Sequence, residues 1–265
     1  KNKKSNPDEI KPIIAIPTTA GTGSEISRAA AIINEKTNEK KIVFHPKMLP
    51  TLTILDPKLT LGLPSFLTAA TGMDAFTHCL EAYLVDSFHP MADALAVEGM
   101  KMIVANLPKV LDEPDNLDAR GQMLLAASIG ATAFQKGLGM IHSMAHPLSA
   151  EYNIHHGLAN ALLIKFGLEF TIEKAIIAQN QELQNKLEKI GGIISNNTLS
   201  DIRLIPKLLG TFINRIGIIL GLNEKGIQIE QASVLATLAF EDSCHATHPF
   251  PVSIEDFKAV YNRAL

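Results

Sequence analysis

The hydrophobic period of this chain changes once, at Leu63-Pro64, and that change limits the folds open to it. Before it, apolar residues come in short runs rich in Ile, Val and Thr, broken by Pro and Gly. Residues 12–17, Pro-Ile-Ile-Ala-Ile-Pro, read as a short buried strand, and 41–44 and 52–55 read as two more. After it, apolar residues recur at three- and four-residue spacing, as in helices that bury one face. Helices are expected over 70–85, 91–106, 117–134, 157–174, 174–190, 201–217 and 228–240, with another carrying His142. Ser65 is placed to cap the first helix and Asn116 to cap the third, while Pro147 should end or kink the His142 helix. The expected fold class is mainly α, with residues 1–64 a small α/β piece and 65–265 an all-helical domain.

Composition excludes several function classes. The chain has 265 residues and is 46% hydrophobic, enough to bury a sizeable core. A net charge of -3 and a pI near 6.3 leave no basic footprint for nucleic acid or an acidic membrane surface. No stretch reaches the roughly 18 uninterrupted apolar residues of a membrane helix. No apolar run of signal-peptide length follows the Lys-rich start. Two cysteines, Cys79 and Cys244, make no disulfide framework, so a reducing cytoplasm is expected. The chain opens on Lys rather than Met, just before a strand-like run, and so reads as a fragment or a processed product.

Chemistry concentrates in the histidines. Six of the nine lie between residues 78 and 156. Asp74 and His78 are four apart on one expected helix, and His142 and His146 are four apart on another. Residues at i and i+4 share a helical face, so each pair can aim at one point. His155 and His156 follow in the next loop. Imidazoles with a carboxylate form a donor set for a divalent first-row metal, and a metal with an open position is a Lewis acid. Spacing leaves open which of His142, His146, His155 and His156 bind, and on spacing alone His146 would count as a ligand. His45, His89, His245 and His248 lack partners at useful spacing and are expected at the surface or in local hydrogen bonds. Cys244 and His245 are adjacent and should point apart.

Three segments resemble the iron-containing (group III) alcohol dehydrogenases. They are Pro17-Thr-Thr-Ala-Gly-Thr-Gly-Ser-Glu25, Gly72-Met-Asp-Ala-Phe-Thr-His78 and Gly137-Leu-Gly-Met-Ile-His-Ser-Met-Ala-His-Pro147. His155-His-Gly-Leu-Ala-Asn-Ala161 and the C-terminal Cys244-His … Tyr261 are similar to the same family. The resemblance implies an α/β domain binding NAD or NADP, an all-helical metal domain as in dehydroquinate synthase-like architectures, and an active site in the cleft between them. It implies Fe²⁺, with Zn²⁺ as the alternative, on Asp74, His78, His142 and His156. It places His146 beside the nicotinamide as a catalytic residue rather than on the metal, and leaves His155 a bystander. It carries Thr18, Thr19 and Thr22 over as cofactor contacts, and Lys40 as a residue near the adenosine ribose. Small residues in such a loop let backbone N–H groups approach phosphate oxygens. The resemblance carries Phe134 over as a pocket residue; by its residue type alone it reads as a core aromatic.

The implied reaction is hydride transfer between a small alcohol or aldehyde and NAD(P), in a homodimer or larger homo-oligomer. Family members carry roughly a further third of their length before this point, including a Gly-Gly-Gly-Ser turn for the pyrophosphate, which is missing here. The competing expectation is therefore a metal-binding helical fragment, inactive without that cofactor half.

Overall fold

The computed structural model describes residues 9–34, 39–199 and 201–265, except for the side chains of 31, 33, 34 and 39–42. The fold is mainly α, with four short strands at the front of the chain. Strand β1 (Ile14–Ala15) pairs in parallel with β4 (Leu52–Thr53), and β2 (Ala29–Asn34) pairs antiparallel with β3 (Glu39–Phe44). The sequence reading found the region of β1, β3 and β4 but missed β2, whose Ala-rich run carries little strand signal. The expectation of a buried strand at 12–17 is corrected: Ile14 is 62% exposed and Ile16 48%. Two residues of pairing leave most of that run uncovered.

Nine helices follow among the described residues. Helix α1 (Ser65–Leu84) is the axis of the body, with α2 (Pro90–Asp112), α3 (Leu117–Ala133) and α5 (His156–Ile177) packed around it. Every α1 residue from Thr68 to Leu84 is buried. A helix enclosed on all sides needs to be apolar all round, and α1 carries only Asp74 and Glu81 as charged residues. Helix α4 (Met140–Tyr152) lies between α5 and α8 (Ala232–Glu241), and α9 (Ile254–Ala264) packs on α8 and α5. Helices α6 (Gln181–Ser195) and α7 (Ile205–Arg215) pack against α5 and each other.

Local signals explain most boundaries. Asn116 caps α3 as expected, its side chain accepting from Ala119 N–H at 2.9 Å. Ser65 does not cap α1. Pro64 holds the cap position, and its carbonyl accepts from Thr68 N–H at 2.9 Å. Pro147 does not end α4. The helix runs on to Tyr152, with Pro147 and Leu148 buried and Asn153 closing it at φ 54°. Burial of that turn outweighs the one backbone donor that proline lacks. The expected helices at 157–174 and 174–190 are separated by Ala178–Asn180, with Asn180 capping α6. Helix α9 was not among the expected helices, although its Ser253–Asp256 capping box is a sequence signal. Among the described residues no single helix is long and apolar enough to cross a membrane.

Candidate metal centre

Burial of α1 carries Asp74, His78 and Glu81 into the core, each at most 5% exposed. They share one face, at spacings of four and three residues. Helix α4 brings His142 and α5 brings His156 to that face. Asp74 Oδ1 then has three imidazole nitrogens around it: His156 Nε2 at 3.4 Å, and His78 Nε2 and His142 Nε2 each at 3.8 Å. Ligand atoms of Asp74, His142 and His156 lie within 4.8 Å of one another. His78 stands beside this trio, its ring stacked on His142 with centroids 4.8 Å apart.

Close helix packing sets this convergence. A Cβ on Gly157 would lie 2.2 Å from the Ala70 carbonyl oxygen and 3.2 Å from Asp74 Cβ, so only glycine lets α5 deliver His156 to α1.

Glu81 organises the far side. Its Oε2 accepts from His142 Nδ1 at 2.6 Å, and its Oε1 accepts from Ile141 N–H at 2.7 Å at the first turn of α4. A carboxylate there satisfies orphan amides and meets the positive end of the helix. With Nδ1 donating to Glu81, Nε2 is the His142 nitrogen that faces Asp74.

Asn160 Nδ2 donates to Asp74 Oδ1 at 2.8 Å and lies 3.3 Å from both His142 Nε2 and His156 Nε2. One amide with two hydrogens cannot serve three acceptors. Its own Oδ1 is buried without a partner. No Lys or Arg ion pair reaches Asp74 among the described residues. A divalent cation fits this excess of buried lone pairs around one carboxylate.

The electrostatics follow from burial and contact. Burial raises Asp74, but His78, His142 and His156 outweigh it and hold the carboxyl well below its usual range. Burial pushes His78 down to about 4 and His156 down to about 3, each against the pull of Asp74. Burial also lowers His142, but hydrogen bonds to Asp74 and Glu81 win and carry it up to about 9.

The site is exposed on the side of His156 and His146. The side chains of His156 and His146 are 32% and 42% exposed, against 2% for His142. His146 stacks on His156 with centroids 5.2 Å apart, and its Nδ1 meets Asp242 Oδ2 at 2.8 Å. Phe134 packs on His78 with centroids 4.7 Å apart, so it sits at the centre and is only partly buried.

Other expected positions divide. Thr18 and Thr22 are exposed and Thr19 is partly exposed, on a loop pinned to α3 by Gly23 at φ 62°, where a Cβ would lie 2.2 Å from Ala131 Cβ. The side chain of Lys40 lies outside the described residues, although its backbone pairs with Ile33. His155 is exposed at the start of α5. His45 and His89 make local caps, accepting from Lys47 N–H at 3.1 Å and Ala92 N–H at 3.2 Å.

His248 differs from expectation. Its Nε2 is enclosed without a partner, because Phe170 and the residues around Gly139 cover it. Cys244 gains partners other than His245: ligand atoms of His146, Asp242 and Cys244 lie within 4.8 Å of one another. Burial pushes the Cys244 thiol well up, and Asp242 adds to that.

Sequence reasoning missed Glu81, Asn160, Ser143 and Asp242. Glu81 is three residues from His78 and Asn160 is four from His156, so both could have been found by following the same helix faces.

Comparison with known proteins agrees with this architecture. Residues 68–265 match the family described as Fe-containing alcohol dehydrogenase, C-terminal, and residues 1–57 match iron-containing alcohol dehydrogenase. The chain is 34% identical over 264 residues to 4-hydroxybutyrate dehydrogenase of Cupriavidus necator, covering 97% of this chain and 67% of that protein. It is 33% identical over 258 residues to NAD-dependent methanol dehydrogenase of Bacillus methanolicus, covering 97% of this chain and 67% of that protein. The solved alcohol dehydrogenase from Oenococcus oeni superposes with a TM-score of 0.87 at 32% identity, over 96% of this chain and 66% of that one. The chain thus spans about two thirds of the length of these relatives. The chain belongs to the iron-containing alcohol dehydrogenase family.

Proposed function

We propose that this chain carries the metal-holding, alcohol-binding part of an NAD(P)-linked alcohol dehydrogenase. The observation that supports it most is the buried Asp74 carboxylate faced by three imidazole nitrogens at 3.4–3.8 Å. Asp74, His78, His142 and His156 would hold the cation: Fe²⁺ on family grounds, or Zn²⁺, which the same N/O donors bind more tightly. When bound, such a cation would supply Lewis acidity to an alcohol oxygen, and a bound nicotinamide would supply the hydride acceptor. The residues of the chain do the rest. Asp74 supplies the one ligand charge, and Glu81 holds His142 with its Nε2 directed inward. His156 and His146 line the open side, where substrate enters. His146 accepts the alcohol proton, and Phe134 walls one side of His78 with an apolar ring. Thr18, Thr19 and Thr22 face the cofactor from their loop, and Lys40 lies nearer its ribose.

In this reading residues 1–64 belong to the cofactor domain and 65–265 form the metal domain. The protein works in the cytoplasm as a homodimer or larger assembly, on a small alcohol or aldehyde. The alternative is a metal-binding helical unit that is inactive alone. Fluorescence titration of the Fe²⁺-loaded chain with NADH and NADPH, followed by turnover on a panel of short alcohols, separates the two. Saturable binding with turnover is expected for the dehydrogenase. Metal uptake with neither leaves the helical unit.

A further inference from the structure

Asp242 ends α8 and opens the turn at Ser243–Thr247, so its backbone is fixed from both sides. Its two carboxylate oxygens have separate tasks. Oδ1 accepts from Ser143 Oγ at 2.9 Å and from Cys244 N–H at 2.8 Å. Ser143 Oγ itself accepts from His245 N–H at 2.8 Å, which turns its own hydrogen toward Asp242. His245 Nδ1 lies 2.6 Å from the Asp242 carbonyl oxygen, a further tie on the same turn. Oδ2 is left for His146 Nδ1 at 2.8 Å. Among the described residues His146 has no other hydrogen-bond partner, and its ring stacks on His156 and meets that of His142 edge-on.

We propose that Asp242 is a positioning residue that locks His146 into the tautomer with its proton on Nδ1, leaving Nε2 bare toward the open side of the metal centre. A carboxylate accepts only, so Nδ1 must donate. The bare Nε2 is then the nitrogen able to take a proton. The consequence for turnover rests on the dehydrogenase reading; the tautomer does not.

The anchoring of Oδ1 makes a sharp test available. In Asp242→Asn the amide oxygen stays where Ser143 and Cys244 donate, so the NH₂ group faces His146 Nδ1. That arrangement demands the opposite tautomer, with the proton on Nε2. A carboxylate-to-amide change of this kind beside a catalytic histidine selects the wrong tautomer in serine proteases.

The chelator-treated full chain, labelled with ¹⁵N-histidine, reports the state of both ring nitrogens by NMR, with the His146 signals identified by their loss in His146→Gln. Wild type should show Nδ1–H, and Asp242→Asn should show Nε2–H with metal uptake unchanged. In the loaded enzyme, kcat should fall by roughly 10²-fold, the scale of acid–base catalysis, with KM moving less than about threefold. A wild type with Nε2–H, or an Asp242→Asn variant that keeps Nδ1–H, overturns the proposal. So does a changed tautomer with undiminished kcat. If Asp242→Asn fails to fold, the wild-type spectrum alone still decides the tautomer. A wild type with the expected tautomer but no alcohol turnover defeats the dehydrogenase reading and leaves the tautomer assignment standing.

Discussion

The residues around Asp74 act as a chain of orientation rather than as independent donors. Glu81 touches no proposed metal position, yet it fixes the ring of His142 and caps the helix that carries it. Removing its charge should therefore be felt at the metal. Glu81→Gln is expected to weaken metal affinity by roughly 10- to 100-fold, the usual cost of losing such a supporting partner. Competition against a chromophoric chelator measures this, and an unchanged constant would show that Glu81 serves only α4. His146 predicts the opposite split: His146→Ala should keep its metal and lose turnover by roughly 10²-fold, and loss of metal would make it a ligand. The pairs Asp74–His78 and His142–His146 were legible because i, i+4 spacing is a local rule. Glu81 was passed over because an isolated helical Glu ordinarily faces water. Asp242 was not legible at all. It meets His146 across a separation of 96 residues, and no local pattern encodes that contact.

Elements set how closely those residues can meet. The start of α5 lies against the backbone of α1 at Gly157. Gly157→Ala must push the helices apart, and His156 moves with them. Overpacking of this kind costs about 1–3 kcal/mol. Gly157→Ala should thus unfold earlier in urea and bind metal roughly 5- to 150-fold more weakly, since 1.4 kcal/mol is a factor of ten. Full affinity in a destabilised variant would mean that His156 reaches the cation by another route.

Helix positions were readable because apolar periodicity is averaged over many residues. Their ends were less so. The helix did not stop at Pro147 because proline's local preference was outweighed by the burial of its own turn. The strand at 12–17 misled because an apolar run looks buried whether or not a neighbour covers it.

Over the whole molecule, the buried histidines couple stability to pH. His78, His156 and His248 are lowered from 6.5 to about 4, 3 and 4, each chiefly by burial. Between their folded values and 6.5 the unfolded chain binds more protons, so stability falls as pH drops through that window. His142 runs the other way. Raised to about 9, it contributes stability that is complete below 6.5 and lost as pH climbs toward 9. The metal-free chain should be most stable near pH 7 and lose at least about 2 kcal/mol by about pH 5. Urea midpoints across that range check this, and a flat profile would contradict burial of neutral imidazoles. The mainly α class was legible from one change of period; the convergence of α1, α4 and α5 was suggested only by where histidines fell along them.

That convergence is the central claim, and metal stoichiometry tests it most directly. The chelator-stripped chain, dialysed against Fe²⁺ without oxygen or against Zn²⁺, should retain one equivalent by elemental analysis. Asp74→Ala and His142→Ala should each retain none. A wild type that takes up no metal, or an Asp74→Ala variant that keeps a full equivalent, would contradict the account.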